Sequence, residues 1–166
     1  MKYFLKENFR LFFAKGGFYN EYGEEVYTYQ NSALFLPRID LYKYGVNIGH
    51  IQTRFSFFLA RYDLIYGNEM IGSLNEKLKF ISSELKIEEL GWKVKGDIFA
   101  LNYQIFDENE VLIASVHQEL FHLTQHLSIE IYDEYNEERI VLLLTAINQY
   151  DKQRNEASSA SVNVNN

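Results

Sequence analysis

The chain has 166 residues, with 16 basic and 23 acidic side chains, 13 Tyr, 13 Phe, one Trp, one Pro and no Cys. That length favours one domain with a real core. The absent cysteines exclude a disulfide framework, a thiolate metal site and a Cys nucleophile. Aromatic richness argues against disorder, and the net charge of −7 argues against a dedicated nucleic-acid binder.

From the start of the chain, Lys6, Glu7 and Arg10 interrupt the apolar residues, so no secretory core is expected. The longest uncharged apolar stretch, Ile140 to Ile147, falls far short of the roughly 20 residues a membrane helix needs. A soluble, cytoplasmic protein is the expectation. Charge is uneven along the chain. Residues 1–96 hold 13 basic and 11 acidic side chains, and residues 97–166 hold 3 and 12. Such asymmetry can give one molecule a basic face and an acidic face.

Tyr22-Gly23, Tyr44-Gly45 and Tyr66-Gly67 recur at an interval of 22 residues, each followed by an apolar residue (Val26, Ile48, Met70). Glycine supplies the positive φ of a tight hairpin turn, so each copy predicts one β-hairpin. Tyr135-Asn136-Glu137-Glu138 echoes the first copy. Weaker turns are expected at Leu90-Gly91 and across Asp107 to Glu110. Between turns, polarity alternates, as in Leu85-Lys86-Ile87-Glu88, Trp92-Lys93-Val94-Lys95 and Leu127 to Ile131. That is the period of a half-buried strand, and the spacing predicts a meander of about twelve strands.

Ile140 to Leu144 breaks the period. With Asn136 as an acceptable N-cap and Glu137 and Glu138 in the first turn, a helix from about Glu137 to Tyr150 would be apolar nearly all round, hence buried on all sides. A last buried strand, Arg139 to Thr145, is the alternative. The helix suits the lumen of a closed β-barrel, since twelve strands leave more interior than their own side chains fill. The fold expected is therefore mainly β: a closed barrel of about twelve strands, made of successive hairpins, around a central hydrophobic C-terminal helix. Residues 1–151 form the single domain and the polar segment 152–166 is expected as a disordered tail.

The segment Leu90-Gly91-Trp92-Lys93-Val94-Lys95-Gly96-Asp97, followed by Tyr103 to Asp107, Ile113 to Val116 and Ile129 to Asp133, resembles the LURP-one-related family, bacterial type, of the tubby C-terminal-like superfamily. The resemblance spans about residues 1–150 and implies the same barrel and helix. Two places depart from the family pattern: His126-Leu127-Ser128 at the last strand, and Ala146-Ile147-Asn148 late in the helix. The resemblance implies no established reaction. Tubby domains bind phosphoinositides, and the related scramblases act at membranes. The scramblase cysteine clusters are absent.

No phosphate loop and no Gly-x-Ser-x-Gly is present, so no catalytic residue is assigned. His122-x-x-x-His126 would suit a metal only on a helix, and it reads as a hairpin; no metal or cofactor is expected. The acidic clusters at 107–110 and 133–138 read as turns and a helix start. Lys77, Lys79, Lys86, Lys93 and Lys95 each alternate with apolar residues on three successive predicted strands, which would gather them into one outward basic stripe. These five are the candidates for an anionic ligand. The function expected is a non-enzymatic binding or interaction module, docking on an anionic, phosphoinositide-like phospholipid headgroup or on a protein at the membrane surface. The alternative is a small-molecule carrier or enzyme with a pocket at the barrel rim, near His117 to His126 or Asp107. Nucleic acid is not an expected partner.

Overall fold

The structure, a computed structural model, describes residues 1–8, 15–32, 38–56, 59–75, 84–121 and 124–162. Twelve strands form one antiparallel sheet: β1 Lys2–Asn8, β2 Lys15–Asn20, β3 Glu25–Asn31, β4 Arg38–Lys43, β5 Val46–Ser56, β6 Leu59–Tyr66, β7 Glu69–Asn75, β8 Glu84–Ile87, β9 Trp92–Asp97, β10 Asn102–Phe106, β11 Leu112–Phe121 and β12 Thr124–Ile131. The spatial order is β7-β6-β5-β4-β3-β2-β1-β12-β11-β10-β9-β8. The chain therefore meanders in two runs that meet where β1 pairs with β12, for example Tyr3 opposite Ile129. The barrel is nearly closed. Its seam lies between β7 and β8, where Ser73 donates to Glu89 across the gap (3.2 Å).

Alternation decides which side chains fill the lumen. Ile39, Leu41, Ile51, Tyr62, Leu64, Trp92, Val94, Tyr103 and Ile105 are all buried, while their neighbours along each strand face outward. The helix α1, Glu137–Val162, enters this interior. Its residues Ile140 to Leu144, Ala146, Ile147 and Tyr150 are buried, so the strand alternative for this segment does not form. Burying a Leu or Ile side chain contributes about 1.5–3 kcal/mol, and here one helix supplies the centre of the core. Thr145 answers its own hydroxyl by donating to the Val141 carbonyl (2.8 Å), which lets a polar residue sit in an apolar helix.

α1 continues past Tyr150, where the sequence reading ended it, to Val162. Nothing in Asp151 to Val162 breaks a helix: the segment has no Pro or Gly and contains Lys, Gln, Arg, Glu and Ala, which are good helix formers. Residues 163–166 of the expected tail lie outside the described residues.

The three Tyr-Gly turns are not copies of one turn. Tyr44 (φ +47) and Gly45 (φ +80) form a two-residue loop between the paired Lys43 and Val46, with the double positive φ of a type I′ turn. In the first copy four residues separate β2 from β3, and the Asn20 side chain accepts from the Tyr22 and Glu24 amides. In the third, Tyr66 ends β6 and pairs with Glu69, leaving Gly67 and Asn68 as the loop.

Strand direction sorts the connections into two ends. The three Tyr-Gly turns, the turn at 88–91, the turn at 107–111 and the entry to α1 lie at one end, called the mouth. The remaining connections join strands at the opposite end.

Candidate functional site

Three of the five sequence-predicted lysines, Lys86, Lys93 and Lys95, fall on the outer wall. Lys86 on β8 is opposite Lys93 on β9, and Lys95 follows on the same face. Lys93 and Lys95 both ion-pair with one carboxylate, Glu110, at 2.6 Å for Lys95. Lys86 reaches Glu84 at 3.5 Å. The two lysine hydrogen bonds pull the Glu110 pKa down to about 2. The structure thus gathers three of the five candidates but matches them with Glu110 and Glu84. Lys77 and Lys79 lie outside the described residues.

The acidic clusters work as turn formers. Asp107 accepts from the Asn109 and Val111 amides (2.9 and 2.8 Å), and Asp133 accepts from the Tyr135 and Asn136 amides (3.1 and 3.2 Å). His117 bonds Asn102 (3.0 Å), and His122 lies outside the described residues. Among the described residues no group of three or more His, Asp or Glu is placed to hold a metal ion. Among the described residues no helix is long and apolar enough to cross a membrane.

At the mouth, the first turn of α1 is tied to the barrel by a network whose long-range pairings sequence reading did not anticipate. Lys43, at the end of β4, reaches Glu137 (3.2 Å) and Glu138 (3.0 Å). Tyr3 from β1 donates to Glu137, and Tyr66 from β6 donates to Glu138 (2.7 Å). Burial and the Glu137 carboxylate push the Tyr3 and Tyr27 phenols well above their ordinary range. Burial raises the Glu138 pKa, but the hydrogen bonds from Tyr66 and Lys43 outweigh it and hold Glu138 below the usual carboxylate range. The Arg139 guanidinium lies over the Tyr66 ring, 5.4 Å from its centroid. A pocket of about 360 Å³ opens here, lined by Lys43, Tyr66, Glu134, Tyr135, Glu137, Glu138 and Arg139.

A second cluster was also missed. Arg38 and Asp40 on β4, Gln52 and Arg54 on β5, and Arg61 and Asp63 on β6 share the outer face, because their strand neighbours Ile39, Ile51, Thr53, Tyr62 and Leu64 fill the lumen. Register puts Arg38 opposite Gln52, Gln52 opposite Asp63, and Arg54 opposite Arg61. Arg38 pairs with Asp40 (2.7 Å). Asp63 takes two partners, Arg54 Nε on one oxygen and Arg61 Nε on the other, each at 2.6 Å. Asp40 is buried, which raises its pKa, yet Ser32 and Arg38 hold it below the usual range. The signal was present in the sequence: Arg38-Ile39-Asp40 and Arg61-Tyr62-Asp63 place a cation and an acid two residues apart, hence on one face of a strand.

Local geometry also explains the Trp92 to Asp97 segment. Trp92 and Val94 point into the lumen. Gly96 has φ +118, and a Cβ there would lie 2.7 Å from the Asn102 carbonyl oxygen. Asp97 then accepts from the Phe99 and Ala100 amides (3.0 and 2.8 Å), shaping the turn into β10.

Neither the curated proteins nor the solved structures contain a match to the chain. The model of the LURP-one-related family matches residues 1–148, nearly the whole barrel and the buried part of its helix, and the chain therefore belongs to the LURP-one-related family.

Proposed function

We propose that the protein is a non-enzymatic binding module that docks on an anionic surface, a phospholipid headgroup layer, with the barrel end opposite the mouth and the adjoining outer wall. The observation that carries this reading is charge segregation along the barrel. The six mouth connections hold Glu21, Glu24, Glu88, Glu89, Asp107, Glu108, Glu110, Asp133 and Glu134, and no Lys or Arg. Lys15, Arg38, Arg54 and Arg61 instead lie near the strand ends at the opposite side, interspersed with Glu7, Glu84, Asp97 and Glu119, so that end is mixed in charge where the mouth connections are acidic. Five of the connections there, 9–14, 33–37, 57–58, 76–83 and 122–123, lie outside the described residues. By sequence they add Arg10, Lys77 and Lys79 against Glu76 alone, together with Phe9, Phe12, Phe13, Phe35, Phe57, Phe58 and Phe80. Basic and aromatic residues together suit an anionic interface.

The reading as a non-enzyme is supported by the mouth, where Glu137 and Glu138 are committed to Lys43, Tyr3 and Tyr66. We also place the chain in the tubby C-terminal-like superfamily, bacterial type, and read it as cytoplasmic and peripheral to the membrane. The twelve strands around one helix support the superfamily. Co-sedimentation with phosphatidylcholine vesicles containing anionic lipid tests the function. Binding is expected at low ionic strength and should fall steeply with salt; no binding at any anionic lipid content removes the reading.

The mouth pocket favours a second reading, a carrier for a small polar molecule, because its volume is at the lower end of ligand pockets. A thermal-shift screen of small charged compounds tests it. A stabilising compound whose effect disappears in Arg139→Ala supports the carrier, and a screen without one discards it.

A further inference from the structure

Cross-strand neighbours of like charge destabilise a sheet. Arg54 and Arg61 are such a pair, directly opposite each other on β5 and β6. They coexist because Asp63, one row along, takes Nε of both. Asp63 is 4 % exposed, although it lies on the outer face, while Arg54 and Arg61 are 70 % and 44 % exposed. A buried carboxylate on β6 therefore sets the position of two accessible guanidiniums. Each guanidinium has five N–H donors. Each spends Nε on Asp63, and among the described residues its two Nη groups make no other hydrogen bond or ion pair. The neighbouring Arg38–Asp40 pair is balanced one to one. Two cations to one acid leave the fork with a net positive charge and eight N–H donors.

We propose that the Arg54–Asp63–Arg61 fork is a binding site for a phosphomonoester group. Such a group carries about −1.5 to −2 charges and three strong acceptor oxygens. It complements the unbalanced charge and the planar, paired donors that arginine presents to phosphate. Both a lipid headgroup and a soluble phosphorylated molecule offer this chemistry. The inference deepens the docking reading by naming the group recognised, and it rests on that reading only for the lipid source.

The test uses the full chain and two probes. Phenyl phosphate is titrated in solution by calorimetry. Phosphatidylcholine vesicles carrying either phosphatidic acid, a monoester, or phosphatidylserine, a diester, are used in sedimentation. Each protein is first checked for the wild-type circular dichroism and unfolding midpoint. The fork predicts that the wild type binds phenyl phosphate and prefers phosphatidic acid. Arg54→Gln with Arg61→Gln should weaken both by about tenfold or more, since both charges and the planar paired donors are lost. Arg54→Lys with Arg61→Lys should weaken them nearly as much, because charge is kept and the fork is lost. Lys2→Gln, at the mouth end of β1, should stay within about twofold. Wild-type binding of phenyl phosphate without vesicle binding supports the fork and removes the docking reading. Vesicle binding that survives unchanged in the Gln or the Lys double variant overturns the fork and leaves docking standing. Failure of the wild type to bind phenyl phosphate also overturns the fork.

Discussion

The mouth and the arginine wall use opposite stoichiometries. At the mouth one cation, Lys43, sits between two carboxylates, Glu137 and Glu138. On the wall one carboxylate, Asp63, sits between two guanidiniums. The mouth answers its surplus negative charge with neutral donors, the hydroxyls of Tyr3 and Tyr66. The wall leaves its surplus positive charge facing solvent. The first arrangement spends its donors on the two carboxylates and locks the helix into the barrel. The second is rigid on its buried side and open on its outer side, which is what a binding site requires. The Glu110 cluster is a third case: it has the wall's stoichiometry, one carboxylate to two cations, but its carboxylate is 48 % exposed. Exposed pairs of this kind add little to stability, so ion counts alone do not separate a lock from a site.

Four perturbations sharpen that contrast. The largest effect is expected at the mouth. Glu137→Ala leaves the buried Tyr3 hydroxyl only the weak Met1 sulfur acceptor and loosens Lys43, and should lower unfolding free energy in urea by roughly 2–3 kcal/mol. Asp63→Ala should cost less, about 1–2 kcal/mol, because the released guanidiniums can hydrate; equal or greater loss than Glu137→Ala would reverse the assignment of lock and site. Glu138 gives a smaller, pH-dependent effect. Its folded pKa lies below its unfolded value, so its contribution is full above the unfolded carboxylate range, near pH 4–5, and is lost as pH falls through the folded pKa. Glu138→Gln should therefore flatten the acid side of the stability profile and leave the shape near neutrality unchanged. The smallest effect belongs to Glu110. Glu110→Gln should leave the urea midpoint where it is, while NMR titration of the wild-type carboxyl gives a midpoint near 2 that climbs toward the ordinary range in high salt.

The fold was legible because its signals are local. Alternation in Trp92 to Lys95, turn glycines, and an apolar run without period 2 each depend on a few neighbouring residues. Where the reading fell short, a non-local or weak local balance decided. Tyr-Gly at a constant interval does not fix loop length, since the residues on either side set which pair closes the hairpin. The sequence predicts a helix end near Tyr150 because the apolar run stops there, although helix propensity does not. The candidate site was legible in part. Lys86, Lys93 and Lys95 do face outward together, but Glu110 is brought to Lys93 and Lys95 by the β10–β11 turn, from 17 and 15 residues away. Likewise, Arg54 and Asp63 meet only through the register of β5 and β6. The Arg-x-Asp pattern was visible, but without the register it reads as an ordinary solvated strand face.

The central claim is that binding belongs to the arginine wall. It is tested most directly by vesicle sedimentation of two charge reversals side by side, Arg54→Glu with Arg61→Glu and Lys93→Glu with Lys95→Glu, on phosphatidic acid vesicles at low salt. The account predicts that the arginine reversal abolishes binding and that the lysine reversal retains most of it. Loss in the lysine variant with retention in the arginine variant would contradict it.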